Sequence, residues 1–324
     1  MKKRLVVNLM AIVAVVVVVM FAGCIEEETP APTPEPIAPV ETPAPELTPT
    51  PSQPPISNVT NVTAEEETLR IGAFNIQVYG KSKASKPEVM VVLGKIIRTY
   101  DVVAVQEIRD KSQTALPALL DTVNSDGTPY AYIVSDRLGR TISKEQYAYI
   151  YNTRTVEQIG TAHTYQEPRG TDPFHREPYI ASFKAREGNF DFTLITIHTD
   201  PDEATEEINA LGDVVADAQS TYPEKQDFIV LGDLNADCSY FNEDSDSTLS
   251  NYYWCINNSV DTTTKNTNCT YDRIIITNSS VADFCGESGV FRYDLEYGLT
   301  EEETTAVSDH YPVYAEFWSN RDTD

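Results

Sequence analysis

The chain has 324 residues, of which 41% are hydrophobic and 10% aromatic, enough for one large core or two small ones. Its formal net charge is −26 at pH 7 and its sequence pI is near 4.4, which excludes a binder that holds nucleic acid by bulk positive charge. Either the substrate is not polyanionic, or cations and a few local arginines bring it in.

Residues 1–24 begin with Lys2, Lys3 and Arg4 and continue into an apolar run from Ala11 to Ala22, the pattern of a secretory signal. Phe21-Ala22-Gly23-Cys24 resembles a prokaryotic lipobox with Phe where Leu is usual, which would make Cys24 the lipidated first residue. The alternative is an uncleaved membrane anchor, because the apolar stretch is nearly long enough to span. Both place the remainder on the extracellular face of the membrane; a freely secreted form is the third outcome. Residues 25–67 repeat Thr-Pro and Ala-Pro pairs with Glu and without Lys or Arg, so they read as a disordered, semi-rigid linker. Asn58 and Asn61 open tandem glycosylation sequons there, and others start at Asn257, Asn268 and Asn278. With Cys24 lipidated, Cys238, Cys255, Cys269 and Cys285 remain, an even number that suggests two disulfides outside the cell. The absence of a Cys-x-x-Cys pair argues against zinc.

Residues 68–324 read as one catalytic domain. Strands are predicted at Leu69–Asn75, Asp101–Ile108, Tyr130–Val134, Gln146–Tyr151, Tyr179–Lys184, Phe190–His198, Phe228–Leu231, Arg273–Thr277 and His310–Phe317. Helical spacing appears at Pro87–Thr99 and Asp202–Tyr222. Strands outnumber helices, which suggests stacked sheets with helices outside. One feature recurs: strand after strand ends in a residue of chemical use, namely Asn75, Glu107, His198, Asp233 with Asn235, and Asp309 with His310. The densest example is Phe228–Asn235, a short apolar run that opens into Gly-Asp-Leu-Asn. Five such endings on one kind of edge imply a shared site.

The set combines carboxylates, amides and two of the chain's four histidines. A His beside an acid suits general acid or base work. A carboxylate at a strand end suits Mg²⁺, which takes one or two carboxylates plus waters and phosphate oxygens. No Gly-x-Ser-x-Gly nucleophile motif or phosphate-cradling Gly loop is present. The chemistry expected is therefore attack by water on a phosphorus centre, helped by metal and His.

Asn75, Gln106-Glu107, Ile197-His198, Gly232-Asp233-Leu234-Asn235, Tyr271-Asp272-Arg273 and Ser308-Asp309-His310-Tyr311-Pro312 form a collinear series. In order and spacing it resembles the endonuclease/exonuclease/phosphatase superfamily, and within it the deoxyribonuclease I-like branch. Leu138-Gly139-Arg140, Lys144-Glu145, Phe174-His175-Arg176-Glu177-Pro178 and Asp261-Thr262-Thr263-Thr264 add to the likeness. The resemblance implies an α+β fold, a four-layer α/β sandwich of two packed, mostly antiparallel sheets flanked by helices. It implies His198 and His310 as the catalytic pair, one activating water and one protonating the leaving oxygen. Glu145 would orient His198; Asp272 would orient His310 or share the metal region. Glu107 with Asp309 would bind Mg²⁺ or Mn²⁺, and Asn75, Asp233 and Asn235 would contact the scissile phosphate or its metal. Arg109 and Arg140 would grip DNA, Arg109 in the minor groove, and Arg176 would contact phosphate. Cys238 and Cys269 match a structural disulfide, leaving Cys255 with Cys285 as an inferred second pair. Asp261, Thr263 and Thr267 match a Ca²⁺ loop, and Asp172, Phe174 and Glu177 match part of another.

Two departures stand out. Ser143 occupies the place of a Tyr that stacks on DNA sugar, and Gln166-Glu167-Pro168-Arg169 replaces the small disulfide loop before the second Ca²⁺ site. The function expected is a membrane-tethered, metal-dependent endonuclease acting on double-stranded DNA as a monomer, nearly without sequence preference, leaving 5′-phosphates. The competing expectations are a superfamily enzyme for a lipid or small phosphoester, and a noncatalytic module that kept the fold.

Overall fold

The computed structural model describes residues 67–323; Cys24, residues 1–66 as a whole and the sequons at Asn58 and Asn61 lie outside the described residues. The elements in chain order are β1 (Thr68–Tyr79), α1 (Lys81–Ala84), α2 (Pro87–Ile97), β2 (Val102–Ile108), α3 (Ala115–Val123), β3 (Tyr130–Val134), β4 (Gln146–Asn152), β5 (Val156–Thr164) and β6 (Tyr179–Ala185). They continue with β7 (Asp191–His198), α4 (Ala204–Thr221), β8 (Phe228–Asp233), β9 (Tyr253–Trp254), β10 (Asp272–Ile276), β11 (Phe284–Val290), α5 (Tyr293–Tyr297), α6 (Glu301–Val307) and β12 (Val313–Trp318). Two six-stranded sheets result, β11-β12-β1-β2-β4-β3 and β5-β6-β7-β8-β10-β9. Pairing is antiparallel except at β1–β2 and β7–β8.

The central strands are apolar on both faces because both faces are covered. In β1, Leu69, Ile71 and Ala73 point into the core between the sheets, where they meet Leu194 of β7 and Ile229 and Leu231 of β8. Phe74 and Ile76 point the other way, against Leu93 of α2, Leu119 of α3 and Val307 of α6. On the far side, Ile195 and Val230 pack under Leu211 and Val215 of α4. The four layers are thus helices, sheet, sheet, helix, as the resemblance implies.

Parallel pairing decides where the chemistry sits. The regular register of β1 with β2 runs to Asn75, opposite Gln106 and beside Glu107, before β1 bulges, and β7 and β8 end together at His198 and Asp233, which are register partners. Asn75 Nδ2 donates to Asp233 Oδ2 at 2.8 Å, so the two sheet edges coincide. Deeper in, Gln106 Nε2 ties the sheets by donating to Thr196 Oγ1 at 2.9 Å.

One cysteine pairing is corrected. Cys238 and Cys269 form a disulfide, but Cys255 and Cys285 are both free. Phe284 packs on the core between the sheets, and neighbours in a strand alternate faces, so Cys285 points away from that core. Cys255 packs against it. Thiols on opposite faces of a sheet cannot reach bonding geometry.

Candidate active site

β7 delivers His198 to the edge with its backbone fixed, since His198 N donates to the Tyr147 hydroxyl at 3.0 Å. Its Nδ1 lies 2.6 Å from Glu145 Oε1, and its Nε2 lies 3.5 Å from Asp233 Oδ2. His310, just before β12, is arranged alike: Nδ1 is 2.8 Å from Asp272 Oδ2 and Nε2 is 3.5 Å from the same Asp233 oxygen. Each imidazole is therefore pinned through one nitrogen by a buried carboxylate and aims the other at a shared point. A carboxylate on Nδ1 sets the tautomer and supports the charged form. Burial alone would lower the His198 pKa, but Glu145 and Asp233 outweigh it and hold it above the ordinary value. For His310 burial is outweighed by Asp272, Asp233 and Asp309, and the pKa is pushed up to about 10. Asp233 moves down: burial acts upward, but both histidines, Asn75 Nδ2 and the Asn235 N–H overcome it. Asp272 is thus placed to hold the His310 ring through Nδ1.

The Asp233 turn demands Gly232, whose φ is +144° and whose added Cβ would collide with the Ile197 carbonyl oxygen. Asn235, with φ +46°, follows in the left-handed region and donates Nδ2 to Thr199 O at 3.1 Å.

Glu107 has φ +62°, turning β2 at its end. Its carboxylate accepts from Asn75 Nδ2 at 3.2 Å and from Val78 N at 2.8 Å, and Arg109 Nη2 lies 2.9 Å away. Asp309 Oδ2 is held by Lys265 at 2.8 Å; Asp309 Oδ1 is buried without a hydrogen bond among the described residues. Both residues offer the carboxylate oxygens that a hard divalent cation takes, and Asp309 Oδ1 is the unsatisfied one. Asp233, Asp272 and His310 also lie close enough to share a metal; the bond between Asp272 Oδ2 and His310 Nδ1 leaves Asp272 Oδ1 buried without a hydrogen bond among the described residues.

The three predicted DNA contacts differ. Arg109 is partly exposed at the rim and reaches Glu107, Glu145 and Ser143 Oγ. Arg140 is exposed and paired with Asp172 and Glu203. Arg176 is buried: Nε meets Glu145 Oε1 at 2.9 Å and His198 O at 2.9 Å, and Nη2 donates to Thr199 O at 3.0 Å. It braces Glu145 and the end of β7 from behind.

Asp261, Thr263 and Thr267 converge: Asp261 Oδ1 accepts from Thr263 N and Oγ1, and the Thr263 and Thr267 hydroxyls lie 2.9 Å apart. In the other loop Glu167 accepts from Phe174 N at 3.1 Å. Burial, then Asp172 and Glu177 nearby, raise its pKa against that bond. Glu167, from the segment that replaces the small disulfide loop, thus lies beside the predicted acids Asp172 and Glu177. Lys265 and Lys83 were also missed. Lys83 donates Nζ to Ile76 O and Val307 O, and burial pulls its pKa down to about 8 against the pull of Asp309 and Glu107. No local pattern marks a lysine as inward-facing.

The sequence model described as Endonuclease/Exonuclease/phosphatase family matches residues 72–310. Deoxyribonuclease-1 of Bos taurus is 37% identical over 259 residues, covering 76% of this chain and 90% of that protein. Deoxyribonuclease gamma of Rattus norvegicus is 35% identical over 267 residues, covering 78% and 86%. Among solved structures, the endonuclease/exonuclease/phosphatase from Bacteroides vulgatus superposes with a TM-score of 0.55 at 15% identity, covering 78% of this chain and 98% of that one. The human Nocturnin catalytic domain gives 0.53 at 15% identity, covering 77% and 93%.

Proposed function

The chain belongs to the endonuclease/exonuclease/phosphatase family, and from that premise we propose that it is a deoxyribonuclease, an endonuclease that hydrolyses phosphodiester bonds of double-stranded DNA. The observation that carries this reading is the pair of carboxylate-pinned imidazoles, His198 and His310, whose Nε2 atoms both stand 3.5 Å from Asp233 Oδ2. Two imidazoles facing one point suit in-line displacement. One takes a proton from the attacking water, and the other gives a proton to the departing 3′ oxygen, leaving a 5′-phosphate.

Asn235 offers an amide N–H to a phosphate oxygen, Asn75 spends its two amide N–H groups on holding Asp233 and Glu107 in place beside it, and Asp233 sets the protonation of both histidines. Glu107 and Asp309 would hold Mg²⁺ or Mn²⁺, which supplies Lewis-acid neutralisation of phosphate charge when bound. Arg109 at the rim enters the minor groove, where an arginine reads width more than sequence, so cutting is nearly nonspecific. Arg140 contacts the DNA backbone, and Arg176 serves phosphate binding indirectly through Glu145 and His198. Asp261, Thr263 and Thr267, and separately Glu167, Asp172, Phe174 and Glu177, would hold structural Ca²⁺. The enzyme works as a monomer outside the cell, tethered through Cys24 or an uncleaved anchor; among the described residues no helix is long and apolar enough to cross a membrane.

The test is supercoiled plasmid nicking by the purified chain, with Mg²⁺ plus Ca²⁺ against EDTA. Metal-dependent nicking should fall by about 10²–10⁴-fold in His198→Ala and in His310→Ala. Undiminished nicking in either variant would remove that histidine from the mechanism.

A further inference from the structure

The active-site end of the first sheet holds a lysine that the chemistry above does not use. Lys83 lies on α1, a four-residue helix that buries no residue of its own. Its Nζ donates to two carbonyls distant in sequence, Ile76 O at 2.9 Å and Val307 O at 2.8 Å. Ile76 directly follows Asn75, and Val307 comes shortly before Asp309 and His310. The β1–β12 ladder that would fix these two segments stops at Ala73 and Val313. Past that pair the chains part. β1 enters a bulge in which Gln77 and Val78 are left-handed, and the other segment comes off the end of α6. Two carbonyl oxygens that face a common point need a donor between them, and an ammonium offers three N–H groups. A second link spans the same gap: Ser308 Oγ donates to Asn75 O at 2.6 Å and accepts from His310 N at 3.1 Å.

We propose that Lys83 is a positioning residue: by clasping Ile76 to Val307 it sets the Asp309–His310 half of the site against the Asn75–Glu107 half. It touches no reacting atom. Its effect is exerted through the distance between those halves, which no β-ladder controls. The proposal rests on reading the site as a phosphodiesterase centre.

The test is steady-state DNA cleavage by the full chain and by Lys83→Met, Lys83→Arg, Ser308→Ala and the Lys83→Met/Ser308→Ala double variant. Methionine keeps the stem and removes the donors. A misplacement of about 1 Å is worth roughly 10²-fold, so kcat of Lys83→Met should fall ~10–100-fold. KM for DNA should stay at the parent value, because the groove contacts are elsewhere. Lys83→Arg, which keeps a cationic donor, should recover part of the loss. The double variant should lose less than the product of the single losses, since both residues span one gap. Parental kcat in a folded Lys83→Met, or strict multiplication of the two losses, would overturn the proposal. If Lys83→Met does not fold, Lys83→Gln, which retains a donor amide, takes its place in the cycle. Running the same cycle on bis-p-nitrophenyl phosphate separates the two failures. A parent chain that spares DNA but cleaves the small diester defeats the substrate reading and leaves the clasp to be judged on its own.

Discussion

Glu145 and Glu207 are both buried carboxylates, and their surroundings drive them in opposite directions. Burial would raise Glu145, but His198, Arg176 and Arg109 surround it and hold its pKa below the ordinary value. Glu207, on α4, accepts only backbone N–H groups at Oε1, from Asp200 at 3.0 Å and His175 at 3.3 Å. Its Oε2 is buried without a hydrogen bond among the described residues, and burial pushes its pKa up to about 7 from 4.5. The folded state therefore holds this proton more tightly than the unfolded chain does. Stability from this group is fully present below pH 4.5 and is lost as pH rises toward 7, on the order of 3 kcal/mol in all. Denaturant melts across pH 5–8 should show Glu207→Gln losing less stability than the parent over that window; parallel curves would sink the assignment. Glu145→Gln should instead cost activity. With His198 no longer supported in its charged form, kcat should fall at least ~10²-fold in steady-state assays, and an unchanged kcat would deny the pairing. At this scale the sequence marked Asn75, Glu107, His198 and Asp233 because each closes an apolar run, and His310 because it follows an acid just before one. It could not mark the inward turn of Lys83 or of Arg176, because neither local pattern announces the carbonyls and carboxylate that the folded chain brings to them.

The most irregular element is β1, predicted to end at Asn75 and found to continue to Tyr79. The extension depends on two side-chain acceptors, one local and one from β2. Asn75 Oδ1 takes the Gln77 N–H at 2.9 Å, and Glu107 Oε2 takes the Val78 N–H. The result is left-handed backbone at Val78, φ +49°, with its side chain 54% exposed. A β-branched residue rarely adopts that conformation, which costs roughly 1–2 kcal/mol. Val78→Gly should therefore raise stability by about 1 kcal/mol in chemical denaturation, and a loss of stability would mean that the valine is not strained. Other unpredicted elements have local explanations. β5 and β11 are edge strands whose polar residues and glycines break the alternation a strand needs to be read. α6 was legible and missed: Thr300 and Glu303 form a capping box at its start. The strongly apolar inner strands β2, β4, β6, β7 and β8 were placed within a residue or two at their ends, because both their faces are covered.

At the scale of the molecule, the charge of −26 sets the conditions of work. A basic DNA-binding protein loses affinity as salt rises, because it releases counterions from phosphate. An acidic enzyme and a polyanion repel at long range, and salt screens that repulsion over about 10 Å at 0.1 M. At fixed, saturating divalent cation, kcat/KM for DNA should rise as NaCl increases from low millimolar to about 0.1 M. A monotonic fall would mean that local arginines outweigh the global field.

The parallel pairing of β1 with β2, and of β7 with β8, gives the domain two unlike poles. The reactive groups crowd one, while Glu67 enters at the other, where Thr68 pairs with Trp318. Seven strand residues separate Thr68 from Asn75, about 23 Å at 3.3 Å each. A protein grafted to a bead through residue 67 or residue 323 would hold its reactive pole toward the bathing solution, open to a passing duplex. Attachment through Lys265, which grips Asp309 at that pole, would turn the same face to the bead and leave long DNA unable to enter.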